Sequence, residues 1–265
     1  MKKILITGAN SYIGLELKNF MNQWPDEYTV DEIDVRTNGW KNMDFADYDS
    51  IVHLAAIVHR KENPNMEGEY YRVNCELPIM IANKAKSEGV GQFIFMSTMA
   101  VYGKNGSLKN EIVINKKTKP LPRTLYGKSK LKAEQGLYQL SHSTFGVLIV
   151  RSPMVYGPNC NGNFAKLEKI IKIVPIFPKI DNKRSMIHVN RLSSLLKSYV
   201  DNNLSGTMLV QDLEYQSTSD LVDEIAKKQG KKIYQSKILG YFVTVFMGRM
   251  TIVKKIFGSL VYLRE

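Results

Sequence analysis

Apolar and polar residues alternate in blocks along the first 150 residues of this 265-residue chain. Short runs rich in β-branched and aromatic residues predict buried strands. These runs are residues 2–7, 28–33, 50–56, 92–96 and 145–150. Apolar residues at helical spacing in 13–21, 71–88 and 126–140 predict helices between the strands. Strands that alternate with helices in this way are typical of a parallel α/β sheet with helices on both faces.

A glycine turn joins the first predicted strand to the first predicted helix. Gly8 and Gly14 border the turn, and Ser11 takes the place of the usual middle glycine. Strand, glycine turn and helix are the context of a dinucleotide-binding loop, in which the helix N-terminus faces the pyrophosphate. Asp34 follows the second strand at the spacing of a carboxylate on the adenosine ribose, which favours NAD. Arg36 offers the alternative of the extra phosphate of NADP.

Hydroxyl groups end the fourth predicted strand and begin the third predicted helix. Ser97 and Thr98 close the strand, and Tyr126 and Lys130 stand four residues apart, so they share one helix face. A phenol has an unperturbed pKa of about 10, which a neighbouring ammonium lowers. By itself, such a pair is more typical of a solvated amphipathic helix. After a dinucleotide-binding loop, it predicts a site that moves a proton on and off an alcohol while a hydride moves elsewhere.

The composition of the chain changes after the fifth predicted strand. Shorter helices are predicted at 164–173, 191–200 and 219–228, between proline-rich and polar turns. The sequence therefore predicts a Rossmann-type doubly wound parallel sheet in residues 1–150, continued by parts of 180–215. Residues 151–265 form a small, mostly helical substrate subdomain in this prediction. Ligands bind outside the carboxyl ends of the strands in such sheets.

Composition restricts the chemistry further. Cys75 and Cys160 have neither a disulfide framework nor a metal-ligand spacing, so no metal is predicted and a reducing cytoplasm is the expected location. The net charge is +12, and residues 104–132 hold nine Lys or Arg against Glu111. This segment joins the Thr98 strand to the Tyr126 helix, so it is expected at the rim of the site, where it would attract an anionic substrate such as a nucleotide diphosphate. For most of these basic residues, a solvated surface is the more common role. Nucleic acid is not a predicted partner, because no stacking aromatic residues interleave the basic run.

The end of the chain combines apolar and basic residues. Its longest apolar run, residues 238–247, is too short to span a bilayer and fits a buried or an interfacial helix. Two interpretations of the tail, residues 237–263, follow. A helix buried in the subdomain is the preferred one, and docking of the basic tail on a membrane surface is the alternative.

Taken together, the motifs resemble the extended short-chain dehydrogenase/reductase family. Within it they resemble the NAD-dependent nucleotide-sugar epimerase/dehydratase branch, which includes UDP-glucose 4-epimerase-like enzymes. The markers are Thr7-Gly8 to Gly14, Asp34, Asp44-Phe45, Leu54-Ala55-Ala56, Asn74, Ser97-Thr98, Val101-Tyr102-Gly103, Tyr126 with Lys130, and the segment from Arg184 to Val189. Each motif is weak by itself, but their order and spacing through nearly the whole chain are specific.

The resemblance implies a cofactor-binding role for a large set of residues. The set is Gly8, Asn10, Ser11, Tyr12, Ile13, Gly14, Asp34, Arg36, Asp44, Phe45, Leu54, Ala55, Ala56, Asn74, Ser97, Tyr126, Lys130 and Pro153. Within this set, Asp44 and Phe45 are expected at the adenine. The residues expected at the nicotinamide are Leu54, Ala55, Ala56, Asn74 and Pro153.

The resemblance also implies catalytic and substrate contacts. Tyr126 is the implied acid–base, Lys130 tunes it, and Thr98 holds the sugar hydroxyl. Thr98 is also an implied substrate contact, with Met99, Asn163 and Arg184. In the family the arginine binds the substrate diphosphate, for which a bidentate guanidinium is suited.

Three departures from the family pattern narrow the reaction. Sugar-nucleotide 4,6-dehydratases carry an Asp-Glu pair after the catalytic threonine, whereas Met99 and Ala100 stand here and transfer no proton. Met154 replaces an asparagine that many relatives place before Val-Tyr-Gly-Pro. The chain is also shorter than typical UDP-hexose epimerases. These departures argue against dehydration and leave the sugar open.

The predicted reaction is NAD-dependent 4-epimerisation of a UDP-sugar through transient oxidation at C4. A first alternative is a 4-ketoreductase for a UDP-deoxysugar in surface polysaccharide synthesis, which takes hydride once from external NAD(P)H. A second alternative is a non-catalytic NAD(H)-binding sensor or scaffold, which has no need of Thr98, Tyr126 and Lys130 together. The family also implies a homodimer.

Overall fold

The chain divides into two compact units. The computed structural model describes residues 1–58, 60–160 and 162–264, and the side chain of Asn163 is outside the described groups. The first unit contains Met1–Gly103, Lys119–Pro153 and His188–Val210. The second unit contains Lys104–Thr118, Met154–Ile187 and Gln211–Glu265. Residues 104–118 thus lie in the second unit, whereas the sequence pattern placed them in the first domain.

The secondary structure follows the predicted order. The strands of the described residues are β1 (Lys2–Thr7), β2 (Tyr28–Ile33), β3 (Ser50–His53), β4 (Gln92–Thr98), β5 (Ile112–Ile114), β6 (Gly146–Ser152), β7 (Met154–Tyr156), β8 (Ile176–Pro178), β9 (Met186–His188), β10 (Gly206–Leu209), β11 (Tyr234–Ser236) and β12 (Leu260–Tyr262). The α-helices are α1 (Tyr12–Met21), α2 (Glu67–Tyr71), α3 (Leu77–Ser87), α4 (Leu125–Tyr138), α5 (Asn163–Ile173), α6 (Val189–Asp201), α7 (Thr218–Lys228), α8 (Lys237–Phe242) and α9 (Thr251–Phe257).

Three single-turn 3₁₀ segments and two π-helical turns complete the secondary structure of the described residues. The 3₁₀ segments are Asn38–Asn42, Pro64–Met66 and Met99–Tyr102. The π-helical turns are Arg72–Glu76, which joins α2 to α3, and Val243–Met247, which continues α8.

A parallel sheet forms the centre of the first unit. Over the described part of the chain it has six strands in the order β10-β6-β4-β3-β1-β2. Every pairing is parallel, with Ile4 opposite both Val30 and Ser50 and with Phe93 opposite both Ile51 and Val147. The chain adds β2 on one side of β1 and β3 on the other, which creates a topological switch point between β1 and β3. The predicted doubly wound parallel sheet is confirmed.

The core of the first unit explains why these segments form strands. Parallel strands are covered on both faces by helices, so their residues are apolar almost without interruption. Leu5, Ile51, Phe93 and Ile149 are fully buried in the cluster beneath α3 and α4. His53 is also fully buried, between the rings of Phe93 and Phe95, and its Nδ1 lies 2.7 Å from Thr7 Oγ1. It is a core histidine.

The second unit is built from short strand pairs and helices. β5 pairs with β12, β7 with β9, and β8 with β11. Helices α5 and α7 pack against each other, and Leu221, Val222 and Ile225 of α7 are buried. None of the helices in the described residues is both long and apolar enough to cross a bilayer.

Candidate active site

A cavity of about 780 Å³ opens at the carboxyl ends of β1, β2 and β3, at the switch point of the sheet. Its wall is made of the segments that follow these strands and of α2, α3 and the turn between them. The lining residues are Gly8, Ala9, Asn10, Ser11, Asp34, Val35, Arg36, Asn38, Trp40, Leu54, Ala55, Ala56, Ile57, Val58, Arg60, Glu69, Arg72, Val73, Glu76, Leu77 and Met80. The volume falls in the range of roughly 300–1,000 Å³ that is typical of cofactor sites.

The glycine turn packs directly against the segment after β3. Gly8 has φ +107°, and a β-carbon there would lie 2.8 Å from the backbone nitrogen of Ala55. Ser11 is the N-cap of α1, and its hydroxyl accepts a hydrogen bond of 3.2 Å from the Gly14 N–H. The turn therefore leaves backbone groups and a helix N-terminus facing the cavity, which is the arrangement that binds phosphate.

Some residues of the predicted loop do not reach the cavity. Asn10 and Ser11 belong to the wall, but Tyr12, Ile13 and Gly14 lie in the first turn of α1 and are not part of it. Gly14 is buried under the helix, where its N–H binds the cap. Its contribution is close packing of helix and strand.

Asp34 and Arg36 stand together at the rim of the cavity. The Arg36 guanidinium donates to both carboxylate oxygens, with Nη2 2.6 Å from Oδ2. These hydrogen bonds lower the pKa of Asp34 to about 2, so the carboxylate is ionised at neutral pH. Asp34, predicted at the ribose, and Arg36, the alternative contact for the extra phosphate of NADP, both lie in the cavity wall, and the arginine is engaged by the acid.

The predicted adenine contacts are not part of the wall. Phe45 is fully buried in the hydrophobic core, its N–H donates to Glu88 Oε2 at 2.8 Å, and exposed Asp44 caps Ala46. Trp40, on the 3₁₀ segment after β2, is the aromatic residue that lines the cavity. Trp40 is also a buried member of the hydrophobic core, and the sequence pattern does not show which core aromatic ring of this region borders the cavity.

The segment after β3 lines the cavity as predicted, and Asn74 holds it in place from behind. Leu54, Ala55 and Ala56 are in the wall. The Asn74 amide is fully buried, accepts from Ile57 N at 2.8 Å and donates to Ile57 O at 3.1 Å and to Ser129 Oγ at 3.3 Å. Asn74 therefore orders the loop and ties it to α4, whereas the resemblance implied a direct nicotinamide contact.

Tyr126 and Thr98 are brought together at the end of β4. Thr98 is the last residue of β4, and its Oγ1 caps the following 3₁₀ segment by accepting from Ala100 N at 3.1 Å. A side-chain hydrogen bond from Thr98 to Tyr126 lowers the pKa of the phenol, but burial raises it more, and the pKa is about 12. The phenol is therefore protonated at neutral pH. Met99 follows as a partly exposed residue.

Glu62 connects the cavity loop to the start of α4. Its two carboxylate oxygens accept hydrogen bonds from Leu125 N at 2.8 Å and from Tyr126 N at 3.0 Å. An anion at a helix N-terminus is stabilised by the unsatisfied N–H groups and the helix dipole. Glu62, which follows Ala56 of the cavity wall along the chain, thus binds the backbone of Tyr126. Sequence reasoning missed Glu62, because no local spacing relates it to a helix 63 residues later.

Lys130 faces the sheet instead of the phenol. Its ammonium is buried, donates to the Met96 carbonyl at 2.8 Å and lies 4.3 Å from the centre of the Phe95 ring. Burial lowers the pKa of Lys130 to about 7. The sequence predicted that Lys130 lowers the pKa of Tyr126, but in this structure the phenol pKa is raised, because desolvation outweighs the hydrogen bond from Thr98.

Ser97 belongs to a buried polar cluster and not to the cavity wall. Its hydroxyl donates to Glu134 of α4, which forms an ion pair of 2.6 Å with Arg151 of β6. Arg151 also donates to the Tyr102 hydroxyl at 2.8 Å. The cluster joins α4 to β4 and β6, so the implied cofactor contact of Ser97 is replaced by a positioning role for the helix that carries Tyr126.

The remaining predicted residues lie elsewhere. Pro153 is buried at the end of β6, outside the wall. Arg184 is in the second unit, where it donates to the Gly258 carbonyl at 2.8 Å and burial lowers its pKa. Asn163 begins α5, and its side chain is outside the described groups.

Comparison with known proteins identifies relatives over most of the chain. Residues 4–190 match the model of the family described as NAD dependent epimerase/dehydratase. A UDP-glucose 4-epimerase of Vibrio cholerae is 28% identical, over 98% of this chain and 86% of that protein. The N-acetyl-alpha-D-glucosaminyl-diphospho-ditrans,octacis-undecaprenol 4-epimerase of Escherichia coli O157:H7 is 27% identical, over 87% of this chain and 73% of that protein.

Solved structures share the fold. A dTDP-4-dehydrorhamnose reductase of Bacillus anthracis in complex with NADP superposes with a TM-score of 0.74, at 20% identity, over 100% of this chain and 91% of that one. A UDP-glucuronic acid 4-epimerase of Bacillus cereus in complex with NAD gives a TM-score of 0.72, at 21% identity, over 88% of this chain and 86% of that one. The same fold therefore serves epimerases and reductases.

Proposed function

Because the chain belongs to the NAD-dependent epimerase/dehydratase family, we propose that it is a 4-epimerase of a UDP-sugar. The observation that carries the proposal is the hydrogen-bonded pair of Thr98 and Tyr126, at the end of the strand next to those that form the cavity. Two relatives that align with most of the chain, from Vibrio cholerae and Escherichia coli, are both named 4-epimerases of a sugar held on a diphosphate. The proposal takes UDP as the carrier.

The residues of the cavity fit a dinucleotide. Gly8 brings the backbone so close to Ala55 that a β-carbon would fill the cradle, and the N-terminus of α1 faces the same space. The Asp34 carboxylate at the rim suits the two hydroxyls of an adenosine ribose and repels an additional phosphate. Arg36 does not offset this repulsion, since its guanidinium is engaged by that carboxylate. NAD is therefore preferred over NADP.

The protein supplies the proton transfer and the positions of the reacting groups. When bound, NAD supplies a carbon that takes a hydride from C4 and returns it. Tyr126 exchanges a proton with the C4 oxygen, and Thr98 holds that oxygen by a second hydrogen bond. To act as a base, the phenol needs a lower pKa than about 12. The resemblance assigns this role to Lys130, whose ammonium is turned to the Met96 carbonyl in this structure.

The residues after Thr98 favour epimerisation over dehydration. Met99 and Ala100 occupy the partly exposed start of the 3₁₀ segment, and neither side chain carries a proton that could reach a leaving hydroxyl. A sugar bound at Thr98 thus keeps its C6 oxygen. For the diphosphate we retain Arg184, and for further sugar contacts Met99 and Asn163. Cytoplasmic location and a homodimer complete the proposal.

The decisive experiment starts from the purified protein without any added dinucleotide. Denaturation followed by mass spectrometry identifies the small molecules that the protein carries, and NMR follows UDP-glucose and UDP-N-acetylglucosamine in the presence of the native protein. We expect released NAD and interconversion of the C4 epimers with no added reductant. The same assay on a polyprenyl-diphosphate-linked N-acetylglucosamine tests the other carrier.

Two outcomes would contradict the proposal. Stoichiometric consumption of added NADH or NADPH with a 4-keto sugar would make the protein a reductase. A tightly bound NAD without turnover of any of these sugars would favour a sensor or a scaffold.

A further inference from the structure

An exposed apolar face runs along the helical segment near the end of the second unit. The face is formed by side chains of α8 and of the π-helical turn that continues it. It consists of Ile238, Tyr241, Phe242, Val245 and Phe246, which are 84%, 71%, 52%, 53% and 69% exposed. We call these five residues the tail face. The rings of Phe242 and Phe246 lie 4.6 Å apart, so they form one continuous aromatic surface.

The opposite side of this segment is fixed to the second unit. A β-carbon at Gly240 would lie 2.0 Å from the Lys179 carbonyl oxygen, and Val243 is buried. The segment therefore packs with one side only. The sequence favoured a fully buried helix, and the structure shows an amphipathic one whose outer side carries the larger residues.

Neighbouring strands extend the apolar surface. β11 leads directly into α8, and Tyr234 of β11 is the register partner of Ile176 of β8. Tyr234 is 69% exposed and Ile176 is 49% exposed. Contiguous exposed apolar residues of this extent mark interaction sites in soluble proteins.

Along the chain, the segment that contains the tail face carries charge of one sign. Residues 225–264 contain nine Lys or Arg and no Asp or Glu. Lys237, Arg249 and Lys255 are exposed, on either side of the tail face along the chain. Apolar side chains flanked by cations, on a helix too short to span a bilayer, are the pattern of an interfacial helix that lies on anionic lipid.

A second copy of the chain is a poorer partner for this surface. In a twofold contact the same patch meets itself, so the flanking cations would face each other without a compensating acid in residues 225–264. An anionic bilayer offers both an apolar interior for the aromatic side chains and negative headgroups for the cations.

We propose that the tail face docks this protein on the surface of an anionic membrane, with Ile238, Tyr241, Phe242, Val245 and Phe246 at the headgroup boundary. The docking goes beyond the proposed reaction and does not depend on it.

Vesicle flotation of the full-length protein tests the proposal without substrate. Phosphatidylcholine vesicles that contain about 30% phosphatidylglycerol, which makes their surface anionic, are compared with vesicles of phosphatidylcholine alone. We expect binding to the anionic vesicles that falls when salt is raised, because the flanking cations are screened. Ile238→Asp with Phe246→Asp should reduce the partition coefficient at least about tenfold, since charged residues replace inserted apolar ones.

Two further variants, one control and one test of the cations, separate docking from other effects. Leu213→Asp changes another exposed apolar residue of the second unit and should bind like the wild type. Arg249→Glu with Lys255→Glu keeps the apolar side chains and should also lose binding. Circular dichroism confirms that each variant is folded.

Three results would overturn the proposal. They are equal binding to neutral and anionic vesicles, binding that the Ile238→Asp/Phe246→Asp variant retains, and no vesicle binding by the wild type. Sedimentation velocity identifies the competing occupant: dissociation of a wild-type dimer into monomers by the tail-face variant would assign the face to a second copy. A loss of epimerase activity in any variant has no bearing on these outcomes, because flotation needs no turnover.

Discussion

At the scale of single residues, the chemistry of the site depends on the partners of two groups on α4. Tyr126 is bonded to Thr98, whereas Lys130 is turned to the Met96 carbonyl and the Phe95 ring. Burial favours the neutral form of each group, because it raises the pKa of the Tyr126 phenol to about 12 and lowers the pKa of Lys130 to about 7.

Removal of the Tyr126 hydroxyl tests the acid–base assignment. Tyr126→Phe should lower kcat for 4-epimerisation by about 10²–10⁴-fold, the usual contribution of a positioned acid–base. The affinity for NAD, measured by calorimetry, should stay within about threefold, since Tyr126 does not line the cavity. Tyr138→Phe, at the other end of α4, is the matched control. Full activity of Tyr126→Phe would remove the phenol from the mechanism.

The buried ammonium of Lys130 should produce a pH-dependent stability. The pKa of Lys130 is about 7 in the folded protein, whereas an unperturbed lysine, as in the unfolded chain, has a pKa of 10.5. Between these two pH values, the unfolded chain binds a proton that the folded chain does not. The free energy of unfolding of the wild type, minus that of Lys130→Met, should therefore rise with pH from 7 to 10.5, by on the order of 1 kcal/mol per pH unit. Urea unfolding at several pH values measures it. A difference that is independent of pH would show that Lys130 titrates normally.

At the scale of elements, α4 is positioned by polar contacts at its start and in its middle. Glu62 binds its first two N–H groups, and Glu134 joins its middle to Arg151 of β6. Glu134 is 1% exposed, so its charge depends on the ion pair and on Ser97. Breaking a buried pair on one side leaves an uncompensated charge, whereas removing both partners is often close to neutral.

The buried ion pair therefore predicts a non-additive pair of substitutions. Glu134→Leu should lower the free energy of unfolding by about 3–5 kcal/mol, because Arg151 stays buried without its acid. The double variant Glu134→Leu, Arg151→Met should recover most of that loss. Urea unfolding of the four proteins of this cycle measures the coupling. Additive losses would mean that the two side chains stabilise the sheet independently.

At the scale of the whole molecule, the first unit carries the complete cavity wall, although its chain is interrupted twice by segments of the second unit. A ligand that binds only the folded state stabilises it by mass action. The stabilisation by NAD, compared with that by NADP, therefore shows which dinucleotide the protein prefers, whatever the sugar substrate is.

NAD should raise the melting temperature of the protein from which bound dinucleotide has been removed. At a hundredfold excess over Kd the stabilisation is about 2.7 kcal/mol, which corresponds to several degrees for a chain of this size. NADP at the same concentration should raise it less, because Asp34 repels the additional phosphate. Differential scanning fluorimetry measures both. A larger shift with NADP would reverse the cofactor preference.

The sequence placed the elements well and the individual side chains less well. Gly8 and Asp34 were predicted at the cavity because each directly follows a strand, and Ser11 because it ends the turn after β1, since all parallel strands end at the same edge. Phe45, Asn74 and Ser97 were predicted as cofactor contacts, but the structure turns them to the core, to the loop after β3 and to Glu134. Trp40 and Glu62 had no sequence signal, since their roles depend on chain segments far away.

The order of strands, helices, glycine turn and acids was determined by the sequence alone, because backbone preferences and apolar periodicity act over a few residues. The tertiary structure decided the partners of Lys130 and of Ser97, and it decided that the residues from Ile238 to Phe246 have an exposed side. These features depend on which distant segments pack against each position. A side chain's direction and burial are set by that packing, which a local pattern does not contain.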